Sequence, residues 1–137
     1  MGALENLVKI NKLKPEPPDK DEFNGMVSAA KTKLQDAQLE GLSLDSKFSL
    51  AYSASHALAL AALRWHGYRS DNRYLVFQCL QHTLGMESTD WRVLDQCHRR
   101  RNIAEYEGHM EVDEQLLKEL IKIIYDMLDK IIALKPL

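Results

Sequence analysis

Between Leu116 and Ile131 the chain sets Leu116, Leu117, Leu120, Ile121, Ile124, Met127, Leu128 and Ile131 at steps of three and four. That spacing puts them all on one side of a helix with 3.6 residues per turn. So wide an apolar stripe has to be covered by other elements, and the rest of the sequence offers further helices to cover it. Asp113 stands where a side-chain oxygen caps the first turn of this helix, and Gly108 stands where the preceding helix should stop. That preceding helix is expected to begin at Ser88 or Thr89, with Asp90 complementing the positive end of its dipole, and to carry Val93, Leu94, Cys97 and Ala104.

Upstream, Phe23, Met26, Val27, Ala30, Leu34 and Ala37 repeat helically and predict a helix from about Asp21 to Glu40, ended by Gly41. A second helix is expected from about Asp45 to His66. Its face of Phe48, Ala51, Tyr52, Ser55, Ala59, Ala62 and Leu63 is rich in alanine, which allows close approach of a neighbour. "RYLVFQCLQHTL" reads as a third helix before Gly85. No strand-like alternation of useful length, internal repeat or low-complexity tract interrupts the pattern. The fold class is therefore all-α, an up-and-down bundle of four to five helices. Residues 21–137 form the bundle domain. Residues 1–20 form an N-terminal arm, with Leu4, Leu7, Val8 and Ile10 helically spaced, and a proline-rich linker, "KPEPPDKD". Detached by those prolines, the arm is expected to cover a neighbouring protomer or another chain.

At 137 residues, 45% of them hydrophobic and 28% charged, the chain is sized for one core. Its longest apolar run, "ALALAAL", is far too short to cross a bilayer, and the opening "MGALENLVKINKLKP" lacks the apolar core of a secretory signal, so no membrane association and a cytoplasmic location are expected. Two cysteines, Cys79 and Cys97, do not make a disulfide framework. Zinc ligation by Cys79, His82, Cys97 and His98 is disfavoured, because neighbours on a helix diverge by about 100°. Glu-x-x-His repeats, a glycine-rich phosphate loop and a nucleophile elbow are missing, so no metal or other cofactor is expected. A net charge of −2 excludes a uniformly basic surface but permits a local basic patch.

Such a patch occurs in "HRRRNIAEYEG", His98 to Gly108, where Asn102 and Tyr106 lie about 40° apart on an ideal helix. A smaller basic-aromatic group, Arg64, His66, Tyr68 and Arg69, closes the alanine-rich helix and is a candidate for stacking on and neutralising RNA. Trp65 and Trp91 read as packing anchors.

"FSLAYSASHALALAALRWHGYR" and "RRRNIAEYEG" together give the chain, over residues 21 to 134, a resemblance to the HEPN domain, a helical-bundle family of prokaryotic toxin-antitoxin and defence systems. Active members are metal-independent endoribonucleases with an Arg, four to six intervening residues and a His, two protomers lining one cleft. The resemblance implies a homodimer with Arg101 as the motif arginine and Asn102 as the polar residue beside it; the adjoining Arg99 and Arg100, and Arg69 and His66 of the basic-aromatic group, are the candidate RNA contacts. Tyr106 stands where the motif places its His, and His109 follows Arg101 after seven intervening residues. These four, Arg101, Asn102, Tyr106 and His109, are the candidate catalytic residues. A His shuttles the 2′-hydroxyl proton and an Arg stabilises phosphate charge in such chemistry. The expected function is RNA or nucleotide binding with endoribonuclease activity. The alternative is a catalytically inactive bundle that serves as scaffold for a partner such as a cognate antitoxin or a nucleotidyltransferase.

Overall fold

The computed structural model describes residues 2–108 and 113–137, the side chains of residues 103–107 excepted. The chain is mostly helical, in the order α1 (Ala3–Lys9), β1 (Lys14–Pro15), α2 (Lys20–Asp36), α3 (Leu44–Trp65), β2 (Tyr68–Arg69), α4 (Arg73–Gln78), α5 (Leu80–Thr83), α6 (Ser88–Glu107) and α7 (Glu114–Ile132).

α3 is the centre of the packing. It touches α2, α4, α5, α6, α7 and β2, and Phe48, Ala51, Tyr52, Ala54, Ser55, Leu58, Ala59, Ala61, Ala62 and Leu63 on it are all buried. Alanines on several sides let neighbours approach, while Phe48, Leu58 and Leu63 each contribute roughly 1.5–3 kcal/mol by leaving water. Ser43 caps the first turn, its side chain accepting from Ser46 N–H. α7 supplies the facing stripe: Leu116, Leu117, Leu120, Ile124, Met127, Leu128 and Ile131 are buried, as is Ile123, and Ile121 packs at the margin. Asp113 caps it as its position foretells, accepting from Leu116 N–H at 2.7 Å. α6 ends at Glu107 before Gly108, whose φ of +76° is open to glycine and strained for other residues.

Three features depart from the sequence reading. α2 stops at Asp36 rather than near Gly41, because Gln38 Nε2 donates to Leu34 O, the carbonyl that another helical turn would use, and the Gln38 backbone N–H turns to Gln35 O instead. The expected third helix is split at Cys79 into α4 and α5. A short antiparallel pairing also forms, with Lys14 opposite Arg69 and Pro15 opposite Tyr68.

That pairing bears on the arm, which is not detached. Leu4 and Leu13 belong to the buried core, and Leu7 and Val8 pack against it. The linker is held by Arg64, 2% exposed, which donates to Glu22 Oε1, to Glu16 O at 3.0 Å and to Pro17 O at 2.9 Å, and pairs with Glu16 Oε2 at 3.2 Å. Arg69 joins from β2, binding Glu16 at 2.7 Å and Glu22 at 2.8 Å. The Arg69 hydrogen bond, with the charges of Arg69 and Arg64, holds the Glu16 carboxyl below the usual range. Gly67, at φ +88°, makes the turn that brings its carbonyl to Glu16 N–H at 2.9 Å. Among the described residues, no helix is long and apolar enough to cross a membrane.

Candidate nucleic-acid interface

α6 presents two adjoining surfaces. On the outer one, Trp91, Arg92, Asp95, Gln96, Arg99 and Arg100 line an open groove of about 620 Å3. Their spacing of three, four, seven and eight keeps them on one helical face. Three guanidiniums thus face one carboxylate. Arg99 pairs with Asp95 at 2.8 Å, one turn back, while its side chain stays 74% exposed. Asp95 is the enclosed member, its side chain 12% exposed, so a phosphate meets the outward N–H groups of Arg99 without breaking the pair. The groove also holds an incomplete donor. Trp91 Nε1 is buried and meets no acceptor among the described residues, and the ring packs edge-on to Tyr74 at 6.0 Å. Leaving such a donor unpaired costs about 1–3 kcal/mol, and because the atom is enclosed, that cost falls on packing rather than on the groove's open face.

The inner surface is built around His98. Its Nδ1 lies 3.0 Å from the Tyr52 hydroxyl and its Nε2 lies 3.2 Å from Asn102 Nδ2. Tyr52, Tyr74 and Phe77 ring the imidazole at centroid distances of 6.4, 6.1 and 6.2 Å. With Asn102 donating, Nε2 is bare and Nδ1–H donates to Tyr52; turning the amide over reverses both bonds. His56 completes this layer, edge-on to Phe77 at 5.8 Å. Burial, then the charges of Arg73, His98 and Lys33, push its imidazole down to about 4, so it is neutral near pH 7.

The expected site residues are dispersed over these surfaces. Arg99 and Arg100 line the groove, whereas Arg101 does not: it is half-buried and turned about 100° from Arg100 on a regular helix. Asn102 reaches back one turn to His98. The side chain of Tyr106 and the whole of His109 lie outside the described residues. Arg69 and His66 are elsewhere: Arg69 binds Glu16 and Glu22, and His66 Nε2 meets Thr83 O at 3.0 Å, fastening the end of α3 to α5. Arg64 is buried in the same carboxylate cluster. The basic-aromatic group at the end of α3 is thus a structural lock.

Cys79 and Cys97 are buried thiols, pushed by burial up to about 11 and about 12, and so poor nucleophiles. Among the described residues, no group of three or more His, Cys, Asp or Glu side chains is placed to hold a metal ion. Sequence reasoning passed over Arg92 and Gln96, read Trp91 as a packing anchor, and took His98 only as a disfavoured zinc ligand and the start of the basic patch. The signal was present as Arg92, Gln96 and Arg99 at steps of four and three, and as His98 and Asn102 four apart. No protein-family model, curated protein or solved structure matches the chain.

Proposed function

We propose that this protein is a HEPN-like, up-and-down helical bundle that binds RNA or a nucleotide as a homodimer in the cytoplasm, using the groove on α6 to hold phosphates without a metal. The observation that carries the reading is the groove itself, which Arg92, Arg99 and Arg100 line together with the Trp91 ring. Guanidiniums bind phosphate oxygens bidentately, and an aromatic edge beside them suits an unpaired base. The HEPN resemblance extends the reading to endoribonuclease action of toxin-antitoxin or defence type. That step needs a proton acceptor with an open lone pair beside the arginines.

The second reading, a catalytically inactive bundle that serves a partner such as an antitoxin or nucleotidyltransferase, draws on the same layer. Both ring nitrogens of His98 are engaged, by Tyr52 and Asn102, as in a polar network that fixes packing. Incubating the purified protein with total RNA, with and without EDTA, alongside Arg99→Ala/Arg100→Ala, Arg101→Ala and Tyr106→Phe variants, separates the two. Retention of RNA that the double variant loses supports the groove. Cleavage that persists in EDTA and fails in Arg101→Ala or Tyr106→Phe supports the nuclease, and retention without cleavage supports the inactive bundle. RNA neither bound nor cut by the wild type overturns the binding proposal.

A further inference from the structure

A second cavity, of about 340 Å3, lies between the arm and the turn leading into α4, lined by Asn11, Lys12 and Lys14 on one side and Arg69, Ser70, Asp71, Asn72 and Leu75 on the other. We infer that this cavity is a second phosphate subsite for the same RNA strand, reached across Tyr74 from the α6 groove, so that the ligand is a single strand several nucleotides long. The inference rests on the RNA-binding reading above and adds the length and path of the ligand.

Three observations carry it. The cavity is basic, with Lys12, Lys14 and Arg69 against Asp71. Because Arg69 is already bound to Glu16 and Glu22, the free charge comes from the two exposed lysines. The wall is also preformed. Asn11 adopts a left-handed φ of +60°, and the N–H groups of Asn11 and Lys12 close onto Val8 O and Leu7 O at 3.0 and 2.8 Å. The β1–β2 pairing then fixes Lys14 opposite Arg69, so little conformational freedom is lost when a ligand enters.

The two cavities, finally, are joined by an aromatic on one short helix. Leu75 of α4 lines the second cavity, and its neighbour Tyr74, 41% exposed, touches Trp91 of the groove. A ring exposed between two cationic hollows is the arrangement on which bases of a single strand stack while its phosphates are neutralised on either side.

The test is fluorescence anisotropy with labelled oligouridylates, a dinucleotide and an octanucleotide, on the full chain. The octanucleotide is expected to bind at least about tenfold more tightly, and Lys12→Ala/Lys14→Ala is expected to erase that advantage, leave the dinucleotide unchanged and lower the salt slope by about 1.4. Tyr74→Leu is expected to reduce the octanucleotide advantage too. Equal affinity for both lengths, or an octanucleotide advantage untouched by the lysine variant, overturns the second subsite while the α6 groove stands. Loss of dinucleotide binding in the lysine variant also overturns it, marking a pocket for a short free ligand instead. Failure of the wild type to bind either oligonucleotide removes the underlying reading itself.

Discussion

Arg64 and Arg99 carry the same guanidinium, yet one is 2% exposed and the other 74%. Arg64 sits at the end of α3, where the proline linker passes overhead and delivers two carbonyls and the Glu16 carboxylate, while α2 delivers Glu22. Arg99 sits on the outer face of α6 and has Asp95 of its own helix as ion-pair partner. A guanidinium can leave water only where acceptors replace its hydration, and the linker supplies them at one place and not at the other. Arginine clusters therefore cannot be sorted into ligand sites and locks by their own residues, since the distant carboxylates decide.

The contrast is most exposed to test at Arg64. Arg64→Ala removes a buried ion pair and its bonds to the linker, and should cost about 3–4 kcal/mol in urea unfolding while leaving dinucleotide binding at the α6 groove unchanged at low temperature. A loss under 1 kcal/mol would deny that the lock matters. Next, Arg99→Ala/Arg100→Ala should weaken RNA binding by about tenfold to a hundredfold and lower the salt slope by about 1.4, without comparable loss of stability. A drop in affinity with an unchanged salt slope would argue that these arginines do not meet phosphates.

Smaller effects sharpen the picture of the inner layer. Tyr52→Phe keeps the buried ring but removes the hydroxyl from His98, and should cost about 1 kcal/mol, read by thermal unfolding. His56 should make stability pH-dependent. Its imidazole takes a proton near 6.5 when unfolded but only near 4 when folded, so its contribution is fully present above 6.5 and lost as pH falls toward 4. The melting temperature should accordingly fall less steeply over that window in His56→Gln than in wild type. Equal slopes would place His56 in water. The smallest change is expected for Arg99→Ala alone, which should shift stability by no more than about 0.5 kcal/mol.

Much of the helical frame was legible in the residues. The α7 stripe, the Asp113 cap and the Gly108 stop depend on positions a few residues apart, and periodicity and capping are read at that range. The candidate site was legible only in outline. Arg99, Arg100 and Asn102 do fall on α6 surfaces with partners for a ligand or a network, but Asn102 turns to His98, and Arg69 and His66 join the lock and the α3–α5 clamp. Nothing near Arg69 in the sequence announces Glu16 or Glu22, more than forty residues away.

By itself, then, the sequence settled where most helices run, which faces they bury and where α6 and α7 are capped or stopped, because hydrogen-bond geometry and side-chain periodicity act within a turn or two of the chain. Tertiary structure alone decided that the arm packs home, that the stretch around Cys79 divides into α4 and α5, and which arginines are neutralised. Those outcomes depend on acceptors and apolar surface contributed from other parts of the chain, and burial of a charge or a backbone break is favourable only once they are in place.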